Sequence, residues 1–434
     1  MPAQIADRPS SGHVTFETGQ PGPAWTWTTA RLEGGPSPWQ VWPRHPAATR
    51  LGWQEAGKDL LVLGLGEAWR GGPGEMQTLL AVLDSHPGLV ALGGPGWPGD
   101  PRETGGWIVP EWVWHGDPAG EGGLWQWQGR TLVGEGDTDW QAAFDGALDR
   151  LLGTGNAATA ADGPRWTRPH LAQGKDRFLA GARRLVGELS GDGLAKVVLS
   201  RDVTLRTTGR VDPWATFRGM ARRSADSHRM AWQDAGGPLW LAASPERLCA
   251  WQGDRFVTEA VAGTARSTLD MSGLGTLDRP AAVSEQAIVQ HGVRQALAGV
   301  ATDLAEEHPA PTSWQGLVHL KATLSGRLAP GCSVADLVAA LHPTAAVAGA
   351  PTPEAQAWIR FLEGRPRQRY GAPFGCLGAG SGVLAVWLRG ACIEGGEARV
   401  TVGAGLVRGS TPEGEWAETE AKLAAILSLL GSDA

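Results

Sequence analysis

Near the C-terminus, a run of small residues is followed by an acid and an amine at helical spacing. Gly403-Ala404-Gly405 ends a predicted strand, and Glu418 and Lys422 follow on a predicted helix. Residues four apart on a helix are neighbours, so this carboxylate and this amine share one face. Small residues let backbone N–H groups approach an anion closely, although a plain tight turn explains the same run. The pattern predicts a site for a carboxylate and a divalent cation.

Three further charged residues have types suited to catalysis. Lys196 follows Ala195 in an otherwise apolar predicted strand, where a charged amine is costly without a partner. Desolvation favours the neutral amine, which can act as a base. A lysine whose stem is covered while its amine reaches water is the commoner alternative. Glu246, after Pro245, and Glu285, on a predicted helix, are ordinary when taken singly.

The bulk composition excludes several classes of protein. The 434 residues carry a net charge of -7, which argues against a nucleic-acid or acidic membrane surface. The four cysteines lack metal-ligand spacing and indicate a reducing compartment. The N-terminus lacks a signal-peptide pattern, and no segment approaches the roughly 18 apolar residues of a membrane span. We therefore expect a cytoplasmic protein, and a monomer by default.

Tryptophan is concentrated in the first 150 residues, which contain more than half of the 22 indoles. Alternating runs such as Trp112-Val113-Trp114 and Trp125-Gln126-Trp127 are typical of half-buried strands. Sheet core is the favoured interpretation, and a carbohydrate-binding module that stacks sugars on exposed indoles is the alternative. The small, polar segment 152–164 predicts an exposed connection. We expect a divergent Trp-rich region over 1–165, integrated in the same fold, and a catalytic core over 166–434.

The predicted strands cluster as hairpins and do not alternate one by one with helices. This order indicates an α+β protein with large, mainly antiparallel sheets flanked by helices. We expect strands at Lys196–Arg201, Leu239–Ala243, Arg247–Trp251, Arg255–Val261, Gly382–Cys392 and Ala398–Val407, and helices at Arg177–Leu189, Ala281–Glu306, Val334–Leu341, Pro353–Glu363 and Glu413–Leu430.

The charged residues belong to an ordered set of motifs. The set comprises Lys196 to Arg201, Ser244-Pro245-Glu246, Ala262-Gly263-Thr264, Glu285, Val318-His319-Leu320, Leu341-His342-Pro343-Thr344, Tyr370, Arg389, Gly403-Ala404-Gly405, Glu418 and Lys422. Over about residues 172 to 430, this order resembles the chorismate-utilising enzymes of menaquinone, siderophore and tryptophan biosynthesis. The resemblance implies the chorismate-binding enzyme fold and chorismate as substrate.

Individual positions indicate which reaction the resemblance implies. Enzymes of the family that add water carry lysine where this chain has Lys196, whereas anthranilate synthases usually carry glutamine. Aminodeoxychorismate synthases typically place a lysine nucleophile at the position of Ala262. Salicylate synthases usually lack the Leu341-His342-Pro343-Thr344 run. The resemblance therefore implies isochorismate synthase, an isomerase, with salicylate synthase as the alternative.

The resemblance also implies a role for each site residue. Lys196 would be the base that activates water, and Glu246 the acid that protonates the departing hydroxyl. Glu285 and Glu418 would hold Mg²⁺. The substrate would contact Gly263, Thr264, His342, Tyr370, Arg389, Gly403, Ala404, Gly405 and Lys422.

One departure from the family concerns the helix that carries Glu285. The family usually begins this helix with a Lys-Asp pair and continues with Glu-His, but this chain has Ala281, Ala282 and Gln286. The change removes polar groups that could support the metal ligand, so weaker Mg²⁺ binding is expected.

Overall fold

The fold consists of two antiparallel sheets flanked by helices, as seen in a computed structural model. The structure describes residues 16–18, 25–32, 35–42, 45, 48–100, 105–132, 140–152, 166–167, 172–189, 193–207, 212–266 and 280–431. Every strand pair among them is antiparallel. The predicted α+β class is confirmed.

The strands of the described segments are numbered in chain order. They are β1 Phe16–Thr18, β2 Trp25–Leu32, β3 Arg50–Gln54, β4 Leu61–Leu65, β5 Trp69–Gly71, β6 Ala91–Gly94, β7 Gly106–Val109, β8 Trp112–Gly116, β9 Gly123–Leu132, β10 Lys196–Arg206, β11 His228–Gln233, β12 Leu239–Ser244, β13 Arg247–Gln252, β14 Arg255–Arg266, β15 Ala301–Glu306, β16 Ala310–Trp314, β17 Leu317–Leu328, β18 Gly349–Ala350, β19 Pro373–Gly378, β20 Ser381–Val386, β21 Gly390–Glu394 and β22 Glu397–Val407. The helices are α1 Pro38–Val41, α2 Met76–Ser85, α3 Trp140–Leu152, α4 Lys175–Glu188, α5 Pro213–Arg223, α6 Pro280–Leu297, α7 Val334–Leu341, α8 Thr352–Glu363 and α9 Pro412–Leu430.

The strands form two sheets. The first has the order β1-β2-β9-β8-β4-β3-β11-β12-β21-β22-β10-β18. The second has the order β15-β17-β14-β13-β20-β19-β6-β7-β5, with β16 also paired to β17. Strands from before residue 165 therefore hydrogen-bond into both sheets alongside later strands. The boundary at 165 between region and core stays a prediction, and segment 153–165 lies outside the described residues.

Two of the places where the chain passes between the two sheets are neighbours. Pro245-Glu246 joins β12 of the first sheet to β13 of the second, and residues 387–389 join β20 of the second sheet to β21 of the first. The two crossings are hydrogen-bonded, since Val386 N–H donates to Glu246 O (3.0 Å) and Ala243 N–H donates to Arg389 O (3.3 Å). They form a seam that brings Glu246 and Arg389 to the same region.

The crossing at 387–389 corrects one prediction. Gly382–Cys392 was expected as one strand, but β20 ends at Val386 and β21 begins at Gly390. The backbone of Arg389 is left-handed, with φ of 55°. A non-glycine residue in that region costs about 1 kcal/mol or more, so the turn is imposed by the surrounding sheets. Periodicity does not reveal such a change of sheet.

A second correction concerns the long helix expected over Ala281–Glu306. Helix α6 ends at Leu297, and residues Ala301–Glu306 form β15, which pairs with β17. The helix ends at a turn in which Val300 N–H donates to Leu297 O (3.1 Å). The polar residues of β15 are mostly exposed at the sheet edge, so pairing with β17 outweighs their helix propensity.

The alternating tryptophans are sheet core. Trp112, Trp114, Trp125 and Trp127 are each at most 3% exposed and pack in one apolar cluster. Phe144 of α3 covers them and meets the Trp127 ring edge-on at 5.8 Å. No row of exposed indoles exists in these strands, so the carbohydrate-binding alternative is wrong for them.

Within the described residues no helix is long and apolar enough to cross a membrane.

Truncating a core indole should be far more costly than truncating an exposed ring. Trp127→Ala is expected to lower the free energy of unfolding by about 3–5 kcal/mol, because it leaves a large cavity. Phe361→Ala is the matched control, because that ring is 62% exposed. Urea denaturation followed by circular dichroism measures both. Equal urea midpoints for the two variants would contradict the packing described.

Candidate active site

A cavity lies at the seam between the two sheets. It is lined by residues of β14, β17, β22, α6, α9 and both crossings. Its polar and glycine lining consists of Glu246, Gly263, Thr264, Glu285, His319, Tyr370, Thr401, Arg389, Gly403, Gly405 and Lys422. The fold thus brings together polar residues that are up to 176 positions apart, namely Glu246 and Lys422.

Lys196 begins β10 beside this cavity and is completely buried. Its Nζ lies 2.9 Å from Glu285 Oε1, and no other described group bonds to the amine. The second oxygen of Glu285 accepts a hydrogen bond from Gly263 N–H (3.1 Å). Gly263 is the extra residue of a bulge in β14 and has φ of 69°, a conformation that favours glycine. The bulge therefore aims its N–H at the carboxylate.

Gly405 makes room for this ion pair. In the antiparallel register, Gly405 of β22 lies opposite Val198 of β10, two residues from Lys196 and on the same face. A Cβ at position 405 would lie 2.8 Å from Lys196 Cε and closer still to Glu285 Oε1. A glycine is required at position 405 because the side chains of Glu285 and Lys196 occupy the space that a Cβ would need.

The other small residues of this run have different surroundings. Gly403 also faces the cavity, where its carbonyl accepts from Lys422 Nζ (2.9 Å). A Cβ there would lie 2.6 Å from the Tyr370 hydroxyl. Ala404 points to the opposite face of the strand and is fully buried in the core. Its methyl group therefore does not line the cavity, and its contribution is limited to the backbone.

Glu246 is buried at the first crossing, with 4% of its surface exposed. Burial raises the pKa of Glu246 to about 8, and the Glu259 carboxylate adds to the rise. The positive charges of three residues lower this pKa in the opposite direction, namely those of Lys196, Arg389 and Lys422. The carboxyl group therefore carries a proton at neutral pH and can donate it.

Arg389 is the cation of the second crossing. Burial lowers its pKa to about 10, so the guanidinium stays charged at neutral pH. It donates to His319 Nε2 (3.3 Å), and His319 Nδ1 contacts Thr264 Oγ1 (3.2 Å). Because a guanidinium only donates, His319 is the neutral tautomer with its proton on Nδ1. Burial also favours the neutral ring, because it holds the pKa of His319 well below its ordinary value.

Tyr370 and the lysine of α9 complete the polar lining. Burial raises the pKa of Tyr370, so its hydroxyl is a neutral donor. Lys422 Nζ lies 2.7 Å from Glu418 Oε1, as the four-residue spacing predicted. Helix α9 is fixed at its start by Thr411, whose side chain accepts from Gly414 N–H.

Glu415 is a buried acid near Glu418 and Glu285 to which the sequence analysis assigned no role. Burial raises its pKa to about 8, and the neighbouring carboxylates of Glu418 and Glu285 push in the same direction. The missed signal is its position, three residues before Glu418 on the same helix face. His319 was part of the motif set but had no assigned role. Its place between the apolar residues Val318 and Leu320 was the signal that could have indicated a role in the site.

The structure does not bring His342 to this cavity. The imidazole lies against Trp97, with Nε2 3.1 Å from Gly96 O, in a different cavity. Burial lowers its pKa to about 4, so the ring is neutral. The cis bond to Pro343 follows directly. We therefore leave His342 out of the proposed site.

The residues that depart from the family on α6 are only partly described. The side chains of Ala281 and Ala282 lie outside the described residues. Gln286 is buried, and its amide donates to Ala260 O (3.1 Å). Gln286 thus ties α6 to β14 next to Glu285 and supports the position of that carboxylate.

Gly405→Ala should destabilise the protein, because the added methyl group cannot enter without displacing Glu285 or Lys196. We expect a loss of about 1–3 kcal/mol, as for other overpacked interiors. Gly187→Ala on α4 is the control, since its Cβ would meet nothing within 4 Å. Thermal unfolding of both variants provides the measurement. An unchanged melting temperature for Gly405→Ala would mean that the site is looser than described.

With this geometry in place, comparisons with known proteins identify the family. Residues 135–431 match the profile described as "Chorismate binding enzyme". The chain is 32% identical over 268 residues to the salicylate biosynthesis isochorismate synthase of Pseudomonas aeruginosa, covering 60% of this chain and 56% of that protein. It is 33% identical over 247 residues to isochorismate synthase EntC of Escherichia coli K12, covering 54% and 62% respectively. The chain spans about half the length of the curated relatives it matches.

The fold agrees with solved structures of this kind. MenF, the menaquinone-specific isochorismate synthase from Escherichia coli, superposes with a TM-score of 0.80 at 23% identity, covering 95% of this chain and 96% of that one. DhbC from Bacillus anthracis, described as a putative 2,3-dihydroxybenzoate-specific isochorismate synthase, gives 0.69 at 22% identity, covering 89% and 96%. Because the matching profile extends over more than half of its residues, the chain belongs to the family of chorismate binding enzymes.

Proposed function

We propose that the protein is an isochorismate synthase, which adds water at C2 of chorismate and removes the C4 hydroxyl. One observation carries the proposal. A single cavity is lined by a buried carboxyl, Glu246, that is protonated at neutral pH, and by Glu285, whose carboxylate lies 2.9 Å from the buried amine of Lys196. A hydroxyl exchange across a ring needs such a pair, one group to take a proton and one to give it.

The two groups divide the reaction between them. Lys196 takes a proton from the water that attacks C2, and Glu246 gives its proton to the hydroxyl that leaves C4 as water. One water enters and one leaves, so the reaction is an isomerisation. A positioned acid or base typically contributes a factor of about 10² to 10⁴.

The cations and donors of the cavity suit a substrate with two carboxylates. Arg389, Lys422 and the Tyr370 hydroxyl would receive them, with the backbone of Gly403-Ala404-Gly405 alongside. Gly263 and Thr264 would line the same pocket. Each anionic group of chorismate would then meet a donor held by a buried network.

The donor set also fits Mg²⁺. Glu285 and Glu418 would hold the ion, which prefers carboxylate oxygens and usually keeps waters or substrate oxygens as its other ligands. Besides burial, the negative charges of Glu418 and Glu285 raise the pKa of Glu415, so acidic groups are gathered in this part of the site. In the described segments, no group of three or more acidic, histidine or cysteine side chains is placed to hold a metal ion. When bound, the ion would hold and polarise the substrate's ring carboxylate.

Named relatives and motif residues favour this activity over the salicylate synthase alternative. The relatives cited above are named as isochorismate synthases.

The four cysteines, Cys249, Cys332, Cys376 and Cys392, are unpaired thiols, which supports action in a reducing compartment such as the cytoplasm.

Incubation of the purified protein with chorismate and Mg²⁺, followed by chromatography of the products, tests the activity. Isochorismate without pyruvate is expected, and salicylate with pyruvate would replace the proposal by its alternative.

Lys196→Ala should reduce kcat by about 10² or more, because the base is lost. Lys175→Ala, an exposed lysine on α4, is the control. A Lys196→Ala variant with unreduced turnover would refute the assigned base.

The rate should fall as pH rises through about 8, because Glu246 loses the proton that it must donate. Below that pH the Glu246 carboxyl stays protonated, so the titration of Glu246 lowers the rate only on the alkaline side of the profile. Glu246→Gln should be slower by about 10² or more and should lack the Glu246 titration. Initial rates at saturating chorismate, with tryptophan fluorescence as a check on folding, provide the profile. A flat profile across this range would contradict the role of Glu246.

A further inference from the structure

Each proposed metal ligand is paired with a lysine that has its own proposed task. Glu285 is held by Lys196, the base, at 2.9 Å. Glu418 is held by Lys422, a proposed receptor of a substrate carboxylate, at 2.7 Å. All four side chains are largely buried, with exposed fractions of 0% and 12% in the first pair and 15% and 12% in the second. Charge in this part of the site is therefore balanced by the protein alone.

Both pairings prevent the lysines from performing their tasks. An ammonium group has three donors and no acceptor, so Lys196 cannot take a proton from water while Glu285 holds it in this form. Lys422 likewise directs its charge at Glu418 and at Gly403 O. Neither amine is free for substrate or water in this arrangement.

We propose that Mg²⁺ and the two amines compete for the same two carboxylates, so that metal binding releases Lys196 and Lys422 for their tasks. The inference rests on the proposed function, because it takes the metal ligands and the lysine roles from there. The metal then has a second effect beside holding the substrate. It completes the site by taking Glu285 and Glu418 away from their lysines.

The local geometry permits the exchange with movement of side-chain ends alone. Glu285 keeps the Gly263 N–H bond on Oε2 while Oε1, which faces Lys196, changes partner. The Lys196 stem and the end of Glu285 share the space beside Gly405, where no Cβ stands between the two side chains and their new partners. Lys422 keeps the Gly403 carbonyl when Glu418 leaves. Glu285 and Lys422 therefore each retain one hydrogen bond during the exchange.

Competition predicts that removing either amine tightens metal binding. Calorimetric titration of the chelator-treated protein with Mg²⁺ alone should give a dissociation constant at least about fivefold lower in Lys196→Met and in Lys422→Met, the low end of coupling between sites. Lys321→Met is the matched control, since that lysine pairs with Glu259 at 3.6 Å and with neither metal ligand. Unchanged or weaker binding in both lysine variants would overturn the inference.

The wild-type protein allows a test that does not depend on the folding of variants. Reductive methylation with mass spectrometry measures how reactive each lysine amine is, with and without saturating Mg²⁺. Methylation of Lys196 and Lys422 should rise several-fold with the metal, and that of Lys321 should not change. Equal or lower labelling of both amines with the metal bound would overturn the exchange.

These readouts separate the inference from the proposed function. Neither measurement requires turnover, so a protein that makes isochorismate but shows no exchange would keep the function and lose the inference. A protein that shows the exchange but forms no isochorismate would do the reverse.

Discussion

The buried ion pair between Lys196 and Glu285 is the interaction on which the rest of the site depends. Burying two charges is expensive, and removing one partner of such a pair typically costs about 3–5 kcal/mol. The surrounding chain accordingly supplies what the pair needs. Gly405 leaves space for both side chains, and the Gly263 bulge donates a backbone N–H to the carboxylate. The bulge at Gly263 and the missing side chain at Gly405 therefore both serve this ion pair.

The seam between the sheets creates the other half of the site. A strand that stays in one sheet alternates its side chains between two faces, so it presents a residue to the inter-sheet space only at every second position. At Pro245-Glu246 and at 387–389 the chain leaves one sheet for the other, and the crossings bond to each other. They bring Glu246 and Arg389 into a cavity that no single sheet would form. The left-handed backbone of Arg389 is the local cost of this arrangement.

Burial acts differently on the charged groups of the cavity because their partners differ. Glu246 has no direct ion pair with any residue that the structure describes, so desolvation dominates and raises its pKa to about 8. Glu285 lies against an amine and a backbone N–H. The same low-polarity environment thus supports one protonated acid and one paired carboxylate within a single site. Glu246 keeps its proton at neutral pH because of its buried position in the fold, not because of its residue type.

Much of this protein was predictable from the order of its residues. The α+β class, most element positions and the buried role of the alternating indoles were expected, because periodicity reports local preference directly. Most of the residues that converge on the cavity were expected from the resemblance of the motif set to a known family. The chain could not reveal that α6 stops at Leu297, that residues 387–389 change sheets, or that His342 packs against Trp97. Those outcomes depend on partners distant in sequence. Only the tertiary structure paired Lys196 with Glu285 and raised the pKa of Glu246, because burial and charge proximity are properties of the packed chain.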